Sequence, residues 1–285
     1  MESHYQLGRI MVNQVLADEF ANYLGFSGYG GEVRMAGRTL VMTTDGVGTK
    51  LLVAEHFGKF DTIGIDLVAM CANDLLCCGA EPLAFMDYYA TGDLDLNKSK
   101  EILAGISQGC EIAGATLVGG ETAQINPMFK KKYWFDLAGF MIGIQKKAPT
   151  PHYINTGDYL VGIPSSGVHS NGFTQLRMGT ISWDMDWMIP TRIYTKEILD
   201  NIQHIKTCAH ITGGGVHGNL PRVLGGKKYD IDLTLGPWWK ELRQILGMTI
   251  EEFEAVFNCG WGMIIVTSQP NKLNIEDAKV IGRIM

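Results

Sequence analysis

The stretch Thr43-Thr44-Asp45-Gly46-Val47-Gly48-Thr49-Lys50 combines an acid, two glycines and a lysine at the end of an alternating apolar run, Arg38 to Thr43, that reads as a strand. A carboxylate can bind a hard cation through oxygen. Glycines permit positive φ and close approach of the backbone to a ligand. The combination suits a phosphate held through magnesium, and Asp-Gly-x-Gly taken alone is equally a simple turn. Downstream, Gly64 to Leu75 reads as a helix that Asp61 or Thr62 can cap and that runs through Leu76. At about 100° per residue, Leu67, Val68, Cys71, Ala72 and Leu75 share one face. Asp66, Met70 and Asn73 line the other, with Asp74 at its edge. A solvated polar face is the ordinary reading of such a helix. This one holds acids without lysine or arginine, whereas exposed faces mix both signs.

Four other stretches carry chemistry. Leu117-Val118-Gly119-Gly120-Glu121-Thr122-Ala123 repeats the order strand, glycines, carboxylate, so its loop and the Asp45 loop are expected to converge on one phosphate chain. Pro164-Ser165-Ser166-Gly167-Val168-His169-Ser170-Asn171-Gly172 places hydroxyls, an amide and an imidazole in a turn before a helix, where free N–H groups favour anions. The imidazole titrates near neutrality and suits a general acid or base, or a hydrogen-bonded turn residue. Thr212-Gly213-Gly214-Gly215 can present a nest of N–H groups to phosphate. The loop Gly25 to Gly31, with Gly28 and Gly30, is flexible enough to cover a nucleotide, but its spacing fits neither the dinucleotide fingerprint nor the P-loop. Asp87 lies inside the strand-like run Leu83 to Ala90 and is costly to bury without a partner. Cys259 has no base signal nearby and reads as packed.

These residues need a scaffold, and the chain can supply one. With 285 residues and 46% apolar content it has material for one large or two ordinary domains. A net charge of −6 argues against nucleic-acid and anionic-membrane partners. No stretch approaches the roughly 20 apolar residues of a membrane span. The N-terminus does not read as a signal peptide, and six scattered cysteines without a C-x-x-C pair suit a reduced, cytoplasmic protein without structural zinc. Helices are expected over Tyr5 to Tyr23 and from an Asn97 cap to Ala113, and strands over Tyr133 to Ile144, Asp158 to Ile163 and Met263 to Thr267. The basic, proline-rich Lys146 to Pro151 marks a boundary between domains 1–148 and 149–285. Both halves read as α+β.

The segments Thr44 to Leu51, Asp61 to Cys71, Asn73-Asp74-Leu75, Asp87 to Gly92, Gly119 to Ala123, His169 to Gly172, Pro190 to Tyr194, Thr212 to Gly215 and Phe257 to Gly260 run through nearly the whole chain. In that order they resemble the aminoimidazole ribonucleotide synthetases, the phosphoribosylformylglycinamidine cyclo-ligases of purine biosynthesis. The resemblance implies two α+β domains, with N-terminal sheets that pair into a barrel across a homodimer. It implies an enzyme that uses ATP and magnesium to activate the formyl amide oxygen of formylglycinamidine ribonucleotide, after which an amidine nitrogen closes the ring. On it, Asp74 and His169 are catalytic residues. Gly28, Gly30, Asp45, Gly46, Gly48, Thr49, Lys50, Asp66, Gly119, Gly120, Glu121 and Thr122 bind ATP. Asp45, Asp66, Asp74 and Glu121 hold magnesium, and Ser165, Ser166, Ser170, Asn171, Thr212, Gly213, Gly214 and Gly215 take the substrate.

The chain also departs from the family pattern. It starts after a segment that members usually carry, and Met11 falls where Gly-Arg-Ile-Lys has its lysine. The connection from Gly172 to Pro190 is shortened. Two alternatives are another ATP-using enzyme of the same superfamily, such as a thiamine-monophosphate kinase, and a weak homologue that binds a ligand or partner without turnover.

Overall fold

The computed structural model describes residues 28–179 and 182–285. The helix expected over Tyr5 to Tyr23, with Met11, lies outside the described residues, as do residues 25–27 of the glycine loop. The described residues build two five-stranded sheets. In the first, β1 (Gly31–Met35), β2 (Arg38–Gly46), β3 (Ala80–Thr91), β4 (Thr116–Gln124) and β5 (Phe135–Gln145) lie in the order β1-β2-β5-β3-β4. Met35 pairs with Arg38 across Ala36 and Gly37, whose φ of 51° and 77° make the two-residue turn that matches strand twist. Pro82 sits in β3 because the register slips there, between Pro82 and Ala84.

Helix α1 (Lys50–Phe57) follows β2, and α2 (Ile63–Cys77) packs on β2, β5 and β3 beside α3 (Leu96–Ala113). The parallel pair β3–β4 needs a crossover, and α3 is that crossover. Its cap is Asp95, which accepts the N–H groups of Asn97 and Lys98 at 2.8 and 3.2 Å. The expected Asn97 cap is therefore displaced by two residues. Neither expected cap serves α2. The Thr62 hydroxyl is buried without a partner, and Asp61 pairs with Lys59 at 2.8 Å. Gly64 lets α2 and α3 touch, since a Cβ there would stand 2.3 Å from the Ile106 nitrogen.

In the second sheet, β6 (Tyr159–Pro164), β7 (Thr207–His210), β8 (Tyr229–Ile231), β9 (Trp261–Thr267) and β10 (Lys279–Ile284) are ordered β7-β9-β6-β10-β8, with antiparallel neighbours. Helices α4 (Phe173–Gly179), α5 (Thr195–Leu199), α6 (Gly215–Asn219), α7 (Pro237–Ile245) and α8 (Ile250–Glu254) complete this half. The two halves share apolar cores. Leu76 and Cys77 of α2 pack with Val161, Ile163, Tyr194, Ile198, Cys208 and Met263. Every residue of α2 except Asp74 is therefore buried. The side of α2 that carries acids is roofed by the second half and is not a solvated face.

The face of the first sheet away from α2 stays open. Val33, Met35, Met86, Tyr88 and Phe140 are exposed there, with Met86 and Phe140 directly opposite on β3 and β5. Among the described residues, no helix is long and apolar enough to cross a membrane.

Candidate active site at the junction of the two halves

Asp45 is half-buried at the end of β2, where it accepts the Gly46 N–H at 2.7 Å. Burial first, and then the neighbouring Asp74 charge, push its carboxyl up to about 6. Asp74 is the polar residue of α2 that reaches solvent, with 18% side-chain exposure. It lies 2.9 Å from Nδ1 of His210, a fully buried residue at the end of β7. Asn73, one position earlier, donates to the Arg192 carbonyl at 3.0 Å, lies 3.3 Å from His210 Nε2 and accepts the Tyr194 N–H at 3.1 Å. Tyr29 donates to the His210 carbonyl at 3.2 Å. Two carboxylates and an imidazole thus meet where strand end, helix and second sheet converge. The Asp74 charge raises the cost of ionising Asp45, and a cation bound beside them would offset that cost.

The Asp45 carboxyl is costly to ionise where it stands. Its folded value lies above that of the unfolded chain, so its ionisation opposes folding, and stability falls as pH rises from about 4 through about 6. Asp45→Asn is expected to be more stable than the parent at pH 7.5 in chelator, by at most about 3 kcal/mol, with the gain vanishing near pH 4. Thermal unfolding across that pH range measures it; equal stability at pH 7.5 would contradict the placement.

Several expected site residues are placed otherwise. Asp66 is fully buried and committed: its Oδ1 accepts Thr191 N–H at 2.7 Å, Thr191 Oγ1 at 2.6 Å and Ser170 Oγ at 3.1 Å, and its Oδ2 lies 2.7 Å from Lys50 Nζ. Lys50 is equally closed off, donating to the carbonyls of His169 and Ile189 at 3.1 and 2.9 Å over the Phe173 ring. Both were expected to bind ATP, and Asp66 to hold magnesium; here both side chains are buried and bonded within the protein. The four acids do not assemble either. Glu121 is exposed on β4, which continues as a strand through Gly119, Gly120 and Thr122 where a loop was expected. It shares a row with Tyr88, Ala138 and Gly46, three strands across, which at roughly 4.8 Å per strand is about 14 Å. No cluster of three or more metal-ligating side chains occurs among the described residues.

His169, expected as a general acid or base, is held in a buried turn with its Nδ1 unpartnered. It has a φ of 61°, is buried, and accepts the Ser166 N–H at Nε2 at 3.1 Å. Burial, reinforced by His210, Lys50 and Arg192, holds its basicity well below the ordinary histidine value, so the ring is neutral. It organises the turn. Ser165 donates to Asn258 and Ser166 to the Pro190 carbonyl. Asn171, whose amide nitrogen is buried without a partner, comes within van der Waals reach of Gly213. The Thr212 to Gly215 turn is closed by Asn219, which bonds the Thr212 hydroxyl and three carbonyls, and Gly214 and Gly215 take φ of 93° and 60°. Gly48 has a φ of 70°, Thr49 is exposed beside Thr174, Gly28 is exposed, and Gly30 packs on β2. Asp87 tucks under Gly120 at a cleft with Tyr89, and burial raises its carboxyl. Cys259 is packed as expected, its thiol pushed up to about 12 by burial and then by Glu254. Sequence reasoning missed His210 and Asn73's partners. The signal for His210 was its place directly before Ile211-Thr212-Gly213, inside a strand that reads as core.

Two family models cover most of the chain: "AIR synthase related protein, N-terminal domain" matches residues 30–145 and "AIR synthase related protein, C-terminal domain" matches residues 155–285. This chain belongs to the AIR synthase related family. It is 40% identical over 284 residues to the "Trifunctional purine biosynthetic protein adenosine-3" of Chironomus tentans, an overlap of 86% of this chain and 20% of that protein. The chain thus spans about one fifth of that relative's length. This AIR synthase related chain shares its fold with the thiamine monophosphate kinase of Aquifex aeolicus, at a TM-score of 0.71 and 17% identity over 96% of this chain and 95% of that one. It is likewise similar to the hydrogenase maturation protein HypE in complex with ATP, at a TM-score of 0.66 and 18% identity over 98% and 88% of the two chains. The T. maritima PurL complexed with ADP gives 0.61 and 15% over 91% and 42%. The α+β reading with two sheets is the fold of this family.

Proposed function

We propose that this chain carries out the ATP-dependent ring closure of formylglycinamidine ribonucleotide to aminoimidazole ribonucleotide. Family membership and the purine-biosynthetic relative support the reaction. Structural neighbours bound to ATP and ADP support the nucleotide. The observation that carries it is the pair Asp45–Asp74 at the junction, backed by His210. Magnesium is normally held by one or two carboxylates with phosphate oxygens, and two partly exposed carboxylates, the charge of Asp74 raising the cost of ionising Asp45, fit it. A cation there would supply neutralisation of the phosphate charge. Asp45 and Asp74 are the groups that hold it, and His210 keeps Asp74 oriented. In this proposal Asn171, with its unpartnered amide nitrogen, and the Thr212 turn take the ribose phosphate end. Ring closure joins two atoms of one molecule, so holding the substrate folded contributes much of the rate.

Residues 1–148 are the ATP-binding and pairing domain in this proposal, and residues 149–285 the substrate-binding domain of a cytoplasmic homodimer. The open sheet face bearing Val33, Met86, Tyr88 and Phe140 supports the pairing, because contiguous apolar surface of this kind marks an interface. Glu121 lies on that face, where a partner copy meets it. Phe140→Glu is expected to convert dimers to monomers in sedimentation velocity, with the circular dichroism of the fold kept. An unchanged sedimentation coefficient would remove this face from the interface. The net charge of −6 supports the absence of a nucleic-acid partner.

The reaction is tested by ADP release with ATP and magnesium across a panel of formylglycinamidine ribonucleotide, thiamine monophosphate and no acceptor. Release that depends on the first supports the proposal. Release that depends on the second would replace it with a kinase.

A further inference from the structure

Lys50 and Asp66 are both in the first half, and every group their side chains hydrogen-bond besides each other is in the second. Lys50 Nζ donates to the carbonyls of His169 and Ile189. Asp66 accepts from Thr191 N–H, Thr191 Oγ1 and Ser170 Oγ. Both side chains have zero exposure. The segments they hold, 165–172 and 189–194, have no helix or strand of their own to fix them. A buried ion pair is weak evidence for stability, since well-packed apolar residues serve as well, and its attested use is to fix one arrangement.

That arrangement bears on the site. The first held segment contains His169, whose left-handed φ of 61° persists only where its surroundings over-determine it. It leads to Asn171, beside Gly213. The second contains Arg192 and Tyr194, whose backbone groups bond Asn73 next to Asp74. We propose that Lys50 and Asp66 are the positioning pair of the site: one buried charge pair sets the 165–172 turn and the 189–194 segment against Asp45 and Asp74, and makes no contact with nucleotide itself. The inference rests on the proposed function for its kinetic consequence, and its structural consequence stands without it.

The test uses Lys50→Met and the milder, isosteric Asp66→Asn in the full chain. Three readouts are hydrogen exchange by mass spectrometry, ADP affinity by calorimetry, and steady-state kcat and KM. Exchange is expected to rise in 165–172 and 189–194 and to stay at parent levels in β5 and β9. ADP affinity is expected to stay within about twofold, while kcat falls by about 10²-fold in Lys50→Met, the scale of a 1 Å misplacement. ADP affinity that weakens tenfold with exchange unchanged would make Lys50 a nucleotide contact and overturn the proposal. Exchange that rises uniformly in both variants would make the pair a general stability element and overturn it too. A parent without turnover would sink the proposed reaction, and the exchange and ADP readouts would still decide the positioning role.

Discussion

Asp74→Asn is expected to lower kcat/KM for substrate-dependent ADP release by about 10²–10³-fold, the scale of losing one group aimed at transition-state charge. The substitution is nearly isosteric, and the amide can still meet His210 Nδ1, which lies 2.9 Å from the carboxylate. It removes one of the two charges available to a magnesium–phosphate unit, and a hard cation prefers charged oxygen. Because Asp74 is the residue of α2 that reaches solvent, the core around it is untouched. The midpoint of thermal unfolding is therefore expected to change by only a few degrees, as for a surface substitution. Steady-state kinetics beside a melting curve checks both parts. Turnover within about threefold of the parent would mean that Asp74 contributes no transition-state stabilisation.

Gly64→Ala is expected to destabilise the protein strongly through a single added methyl group. The added Cβ would lie 2.3 Å from the Ile106 nitrogen, 2.4 Å from the Ile102 carbonyl oxygen and 2.6 Å from the Gly105 carbonyl carbon. These are backbone atoms of α3, so no side-chain rotation relieves the clash. Overpacking a core typically costs about 1–3 kcal/mol and more where the neighbours cannot move. Here a cost of at least about 3 kcal/mol is expected, which for a chain of this size lowers the melting midpoint by roughly 6–12 °C. Displacing α2 also displaces Asp66, Asn73 and Asp74 together, so turnover should fall with stability. A melting midpoint within about 2 °C of the parent would show that α2 and α3 are not in contact at this glycine.

Much of the architecture was legible because periodicity reports it. The alternation before Asp45 marks β2, and the run Leu83 to Ala90 marks the middle of β3, which extends to Ala80–Thr91. The Lys146 to Pro151 break separates two stretches that each fold around their own sheet. Periodicity showed that α2 has two unlike faces. It could not show what covers the second, because that cover is Tyr194, Cys208 and Met263, far along the chain. The same gap explains Lys50 and Asp66. Their residue types and their place near a glycine turn suggested ligand contacts, and only long-range packing consumes them. Glu121 was misplaced for a related reason. Gly119-Gly120 reads as a turn, while pairing with Met86 and Asp87 keeps it in a strand. His210 was invisible because a single histidine in Thr207-Cys208-Ala209-His210 looks like core until Asp74 is found beside it.

In the proposed function, Asp45 and Asp74 form one cation-dependent nucleotide site. Its most direct test is the affinity of a non-hydrolysable ATP analogue for the parent, Asp45→Asn and Asp74→Asn, each titrated with and without magnesium. Magnesium is expected to tighten binding to the parent by at least about tenfold, and either substitution to abolish that gain while leaving the magnesium-free affinity nearly unchanged. An affinity that responds to magnesium equally in all three proteins would contradict it.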